Sequence, residues 1–103
     1  MEKVYKDGNV AVLISAGYGA GWYTWNYEYP AMLFDPWIVD MVLAEAKLED
    51  IVAYATVKWP DAFLGGADGL RVEWIPVGTE FKVSEYDGAE SVEYKERNDW
   101  LVA

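Results

Sequence analysis

The sequence predicts an α+β domain with an antiparallel β-sheet and two helices packed on one face, in the order β-α-α-β-β-β. An unbroken apolar run before the first glycine of a glycine-rich loop is typical of a buried strand. Two helical patterns follow without a strand between them, and the last third alternates apolar and polar residues. The length of 103 residues is that of one domain, so residues 1–103 are treated as a single domain.

The first strand is predicted over 10–15 and the first helix over 36–46. Asp35 is suited to cap the free N–H groups at the start of this helix, and Pro36 suits its first position. Apart from Asp40 and Glu45 the helix is apolar almost all round. Because such a helix buries more than one face, we expect a homo-oligomer formed through residues 36–46.

The second helix is predicted over 48–59, where an amphipathic stripe ends before Pro60. Strands are then predicted over 70–78, 80–86 and 90–96, with a short final strand over 99–103. Asp87-Gly88 is a turn signal between two of them. The alternation predicts that the following residues point inward: Phe81, Val83, Val92 and Tyr94. It predicts that Val72 and Trp74 lie on one side of their strand. It predicts that Arg71, Glu73 and Ile75 lie on the opposite side.

The composition excludes several classes of function. The chain has 18 acidic and 8 basic residues, a net charge of −10, and such a surface repels nucleic acid. It has no Cys and no His, so a thiolate nucleophile, the commonest general base and the commonest zinc ligand are missing, and we predict no enzyme activity, metal or cofactor. The acidity serves either solubility or imitation of nucleic acid. No segment has the pattern of a membrane span or signal peptide, so a cytoplasmic protein is expected.

The glycine-rich stretch "ISAGYGAGWYTWN", residues 14–26, is the main candidate site. Its G-x-G-x-G spacing fits neither the dinucleotide fingerprint nor the P-loop. Successive backbone N–H groups at Gly19, Ala20 and Gly21 are nevertheless able to bind a phosphate. Aromatic rings at Tyr18, Trp22 and Trp25 are able to stack a base.

No Lys or Arg lies between Gly8 and Ala46, so Arg71 is the candidate counter-charge for that phosphate. Two other interpretations stay open. The loop is a tight crossing that needs glycine, with tryptophans filling the core beneath it, or it is a contact loop for another protein.

Two pairs of carboxylates are candidates for acid/base chemistry: Asp87 with Glu90, and Glu49 with Asp50. Structural roles explain them better, because the first pair flanks a turn and the second lies at the start of a helix. The acidic segment 85–96 is expected to be a solvated hairpin or, alternatively, a protein-binding edge.

The segments "VAVLISAGYGAGWYTWN", "LFDPWIVDMVL" and "VEWIPVGTEFKVSEYDGAESVEY" resemble a family of small bacteriophage-encoded proteins without an assigned activity. The resemblance carries over no site residues, but it implies a counter-defence context. The leading hypothesis is a non-enzymatic phage protein that sequesters a small nucleotide-like signal at the glycine loop. The alternative is an acidic inhibitor that binds a host protein.

Overall fold

The computed structural model describes residues 1–95, which form helices and strands and the loops that join them. The strands are β1 (Tyr5–Lys6), β2 (Asn9–Ser15), β3 (Leu70–Pro76), β4 (Phe81–Tyr86) and β5 (Ala89–Tyr94). The α-helices are α1 (Pro36–Leu43) and α2 (Leu48–Lys58), and 3-10 turns occupy Pro30–Leu33 and Gly65–Ala67. The predicted α+β class is therefore confirmed, and the predicted strand over 99–103 lies outside the described residues.

The strands form two antiparallel sheets, not the single sheet that the sequence predicts. One has the order β1-β2-β3, with Ser15 opposite Leu70 and Asn9 opposite Pro76. The other is the hairpin β4-β5. The sheets stay separate because the hairpin packs across a face of β2 and does not extend its edge. β1, a two-residue edge strand that pairs with β2, was not predicted.

Strand β2 is buried on both faces and forms the centre of the fold. Ala11 and Leu13 belong to a core cluster with both helices, whereas Val12 and Ile14 pack on the other face toward the hairpin. Ile75 joins that second cluster and is 2% exposed, whereas Val72 and Trp74 pack against the first cluster, so the predicted alternation along β3 is confirmed. Ile75 is buried on that side because the hairpin packs against this second face of the sheet.

The helices cover the first face. Asp35 caps α1 through its side chain, as predicted. The helix ends at Leu43, three residues before the predicted end, because Glu45 adopts a left-handed φ of 57°. Trp37 and Leu43 are 66% and 53% exposed in the single chain.

Candidate functional site

The turn of the β4-β5 hairpin lies directly against the glycine loop. The Gly19 N–H donates to the Asp87 carbonyl at 2.6 Å, and the Ser15 hydroxyl donates to the Gly88 carbonyl at 2.8 Å. Gly88 has a φ of 87°, and a Cβ there would lie 2.3 Å from the Ala20 nitrogen. The glycines thus allow two backbones to meet, which is the structural interpretation of the loop. The predicted phosphate contact at Gly19 is wrong, because Asp87 occupies its N–H.

Glu90 is the polar centre of this contact. Its side chain is buried, with the residue 4% exposed, and one carboxylate oxygen accepts the Ser15 N–H at 2.8 Å. The other accepts the Thr24 N–H at 2.7 Å and the Thr24 hydroxyl at 2.8 Å. Neutral donors therefore stabilise the charge. The sequence placed Glu90 on a solvated hairpin and carried no signal for this role, since its donors lie far away along the chain.

Trp22 belongs to the core. It is 0% exposed, and its indole N–H donates to the Met32 carbonyl at 2.7 Å. The prediction that Trp22 stacks a ligand was wrong, because the ring packs in the helix-side cluster. This tryptophan fills the space beneath the loop, as the structural interpretation expected.

The loop backbone at Ala20 and Gly21 is packed as well. A Cβ on Gly21 would lie 2.1 Å from the Thr24 hydroxyl oxygen. A Cβ on Gly66 would lie 2.6 Å from the Gly21 carbonyl carbon, so the second glycine-rich segment packs on the first. Gly21 itself is buried, which contradicts its predicted contact with a phosphate. Ala20 is half-buried, with its nitrogen beside Gly88.

Arg71 lines a different part of the molecule. Its guanidinium lies 3.6 Å from the Glu73 carboxylate, and the side chain is about half exposed. It borders a cleft of about 520 Å³ between β3 and the turn that joins the helices, lined also by Leu43, Leu48 and Asp68. None of residues 17–25 lines this cleft. The structure therefore does not bring Arg71 into one pocket with the loop, as the sequence predicted.

Tyr18 and Trp25 are the predicted aromatics that reach the surface, with 76% and 44% exposure. Trp25 packs against Phe63, which is 51% exposed, with 5.0 Å between the ring centroids and a tilt of 40°. The Trp25 indole N–H donates to the Glu85 carboxylate of strand β4. We call Trp25, Phe63 and Glu85 the aromatic patch. Phe63 and Glu85 were not among the predicted site residues, since each comes from a different segment of the chain.

A buried asparagine fixes the aromatic patch from below. Asn26 is 1% exposed, and its side-chain N–H groups donate to the Phe63 and Trp22 carbonyls at 2.9 and 2.6 Å. Its carbonyl oxygen accepts the Phe63 N–H at 2.8 Å. Asn26 thus holds the two loops together through their backbones. The backbones that carry the two surface rings are therefore held in place by the fold itself.

The aromatic patch is acidic, and within residues 1–95 it has no basic neighbour in an ion pair. The ion pairs within residues 1–95 are Lys58–Asp35, Arg71–Glu73, Lys82–Glu93 and Lys95–Glu80. Lys3 and Lys6 lie over the rings of Phe34 and Trp74. Glu85 therefore faces solvent without a cation in the described part of the chain.

A second polar cluster joins the two helices. The buried Asp35 carboxylate accepts the Ile38 N–H at 3.1 Å, the Tyr54 hydroxyl at 3.1 Å and the Lys58 ammonium at 2.5 Å. The hydrogen bond to Asp35 raises the pKa of Lys58, and burial raises the pKa of Tyr54. Both groups therefore hold their protons, and the cluster stabilises the packing of helix α2 against the start of helix α1.

Comparison with known proteins adds no family to these observations: no family model, no curated protein and no solved structure matches the chain. Over residues 1–95, no group of three or more acidic, His or Cys side chains is placed to hold a metal ion. In the same range no helix has the length and apolar character needed to cross a membrane. Function is therefore argued from the aromatic patch and its surroundings.

Proposed function

We propose that this chain is a non-enzymatic protein-binding module, and that the aromatic patch is the centre of its contact surface. The observation that carries the proposal is the exposed Trp25–Phe63 pair, which is held by Glu85 on one side and by the buried Asn26 below. Aromatic side chains dominate the binding energy of protein interfaces. Because these rings are already fixed, binding costs little side-chain entropy.

Two more exposed aromatics extend this surface. Tyr18 and Tyr86 are 76% and 80% exposed. Each directly precedes a residue of the backbone contact between Gly19 and Asp87, so both leave the same junction of loop and hairpin. A contact surface assembled from the glycine loop and the acidic hairpin corresponds to the second hypothesis from the sequence, an acidic protein-binding inhibitor. On the bacteriophage resemblance, the partner would be a host protein.

Sequestration of a nucleotide-like signal is the competing proposal, and the geometry supports it less well. The Gly19 N–H is occupied, Trp22 is in the core, and Arg71 borders a separate cleft. A phosphate beside Thr24 would also meet the Glu85 and Glu90 carboxylates. Charge repulsion therefore opposes an anionic ligand at this point.

The proposed homo-oligomer involves a different surface. Trp37 and Leu43 of α1 remain exposed in the single chain, and this apolar area is available to a second copy. Sedimentation velocity tests it: the wild type should sediment as an oligomer and Trp37→Glu as a monomer. A monomeric wild type would contradict this part of the proposal.

The protein-binding proposal is tested by capture followed by reconstitution. Wild-type protein and a Trp25→Ala/Phe63→Ala double variant are used as baits in a bacterial lysate, and each captured protein is then purified. In calorimetry, a true partner should bind the wild type and lose at least about tenfold in affinity for the double variant. Tyr5→Ala is the control, because it removes an exposed aromatic ring from strand β1, outside both the aromatic patch and helix α1.

Equal binding of every purified candidate to wild type and double variant would overturn the proposal. So would a nucleotide that raises the melting temperature of the wild type by several degrees at saturation but leaves that of the double variant unchanged. That result would assign the patch to a small ligand.

A further inference from the structure

Resting on the proposed function, we infer that the partner presents a basic segment, and that one of its arginines docks on the Trp25 ring while pairing with the Glu85 carboxylate. The inference names the chemistry of the partner, which the proposed function leaves open. It follows from three properties of the aromatic patch: its charge, the orientation of Glu85 and the difference between Glu85 and Glu90.

The charge around the aromatic patch selects a cationic partner. No Lys or Arg occurs between Gly8 and Ala46, and the ion pairs of residues 1–95 lie elsewhere. A neutral partner that covered Trp25 would remove water from Glu85 without supplying a counter-charge, which is costly. A basic segment avoids this cost, and the net charge of −10 also attracts it from a distance.

The orientation of Glu85 favours arginine over lysine. One oxygen of its carboxylate accepts the Trp25 indole N–H and lies 3.5 Å from the Thr24 hydroxyl. Among residues 1–95 its other oxygen, Oε2, takes part in no hydrogen bond. The carboxylate is thus held at the edge of the indole ring. A planar guanidinium is able to donate to Oε2 and stack on the ring at once, which an ammonium group does less well.

Glu90 differs from Glu85 although the two residues are opposite each other on the hairpin. Glu90 is buried and its two oxygens already accept three hydrogen bonds. The Glu90 carboxylate therefore stabilises the fold and is not available to a partner. Glu85 is exposed, so it is the member of the pair that is available to a partner.

The test uses a short peptide of arginine, glycine and serine, titrated into the full chain while tryptophan fluorescence and heat are recorded. The same peptide with citrulline in place of arginine keeps the shape and removes the charge. We expect the arginine peptide to bind and the citrulline peptide not to bind. Glu85→Gln should weaken binding roughly five- to tenfold, since the glutamine oxygen still accepts the Trp25 N–H but the charge is lost.

Glu93→Gln is the matched control. Glu93 lies on the same hairpin, is exposed and pairs with Lys82, so its variant loses the same formal charge away from the patch. It should change affinity less than about twofold. Equal losses in Glu85→Gln and Glu93→Gln would overturn the inference, because binding would then follow net charge alone. Absence of binding by the arginine peptide would overturn it as well.

These failures are distinguishable from failure of the proposed function. If the captured partner still depends on Trp25 and Phe63 while the arginine peptide does not bind, protein binding stands and the basic segment is wrong. If the captured partner is also indifferent to Trp25 and Phe63, both proposals are wrong.

Discussion

Asp35 and Glu90 are both buried carboxylates, 2% and 4% exposed, and they fasten opposite sides of the molecule in different ways. Asp35 joins the helices through a cation, Lys58, and the hydroxyl of Tyr54. Glu90 joins the hairpin to the glycine loop, and its partners are backbone N–H groups and the Thr24 hydroxyl. One charge is paired with a charge, and the other is solvated by the chain itself.

The difference concerns how easily each contact is replaced. The Lys58 side chain is 43% exposed, so it is able to turn to water if its partner changes. The Ser15 and Thr24 N–H groups that Glu90 binds belong to fixed backbone and have no such freedom. We therefore expect the contact between loop and hairpin to tolerate substitutions less well than the contact between the helices, although the helices contain more of the core. The aromatic patch lies on this intolerant side and takes its rigidity from it.

The largest expected effect comes from Gly88→Ala. The side chain would have to accept a φ of 87° and a Cβ contact of 2.3 Å with the Ala20 nitrogen. Strain and overpacking together should lower the free energy of unfolding by roughly 2–4 kcal/mol. Urea unfolding followed by tryptophan fluorescence measures it.

Gly78→Ala is the control for that variant. Gly78 has a similar φ of 84°, but a Cβ there would meet nothing within 4 Å. It should cost about 1 kcal/mol from backbone strain alone. Equal losses at the two glycines would show that the docking of the hairpin contributes nothing.

Glu90→Gln should have the next largest effect. The amide can replace only one of the two oxygens, and each oxygen accepts a backbone N–H, from Ser15 or from Thr24. One buried N–H therefore loses its acceptor in either orientation, which costs about 2 kcal/mol. The measurement is the urea midpoint, and hydrogen exchange at Gly19 should speed up with it. Glu93→Gln, on the exposed side of the same hairpin, should stay within about 0.5 kcal/mol of wild type.

Asp35→Asn is the equivalent change on the helical side and should cost less, about 1 kcal/mol. The remaining oxygen still caps Ile38, the new amide is able to donate to the Tyr54 hydroxyl, and Lys58 is free to move into water. Chemical denaturation of this variant beside Glu90→Gln tests the comparison directly. A larger loss for Asp35→Asn would reverse it.

Alkaline pH should weaken the Asp35–Tyr54–Lys58 cluster, with a smaller effect on stability than the substitutions above. The folded-state pKa of Lys58 is raised above its ordinary value of 10.5, so its contribution is complete below that pH and disappears as pH rises through the folded pKa. Tyr54, raised above 10.0, acts in the same direction, because the folded chain holds the proton more firmly than the unfolded chain. Stability should therefore fall above about pH 10.

Lys58→Met separates this effect from the deprotonation of other groups. The variant should show a shallower loss of stability over the same pH range, measured by urea unfolding. An identical pH profile for wild type and Lys58→Met would mean that the cluster does not contribute to the alkaline limb.

The sequence predicted the elements well because their signals are local. Alternation and an apolar run fixed the strands to within about two residues, and Asp35-Pro36 marked the first residue of α1. The candidate site was predicted much less well. Trp22 and Trp25 lie three residues apart in one irregular loop, and no periodicity distinguishes the buried ring from the exposed one.

What the sequence by itself determined is the α+β class, the order of the main elements and an acidic chain without Cys or His. Only the tertiary structure decided that the hairpin forms its own sheet, that Tyr94 is 43% exposed where it was expected inside, and that Glu90 is buried. The physical reason is distance along the chain. Ser15 and Thr24 lie 75 and 66 residues from Glu90, and which polar groups meet at such separations depends on how complete elements pack.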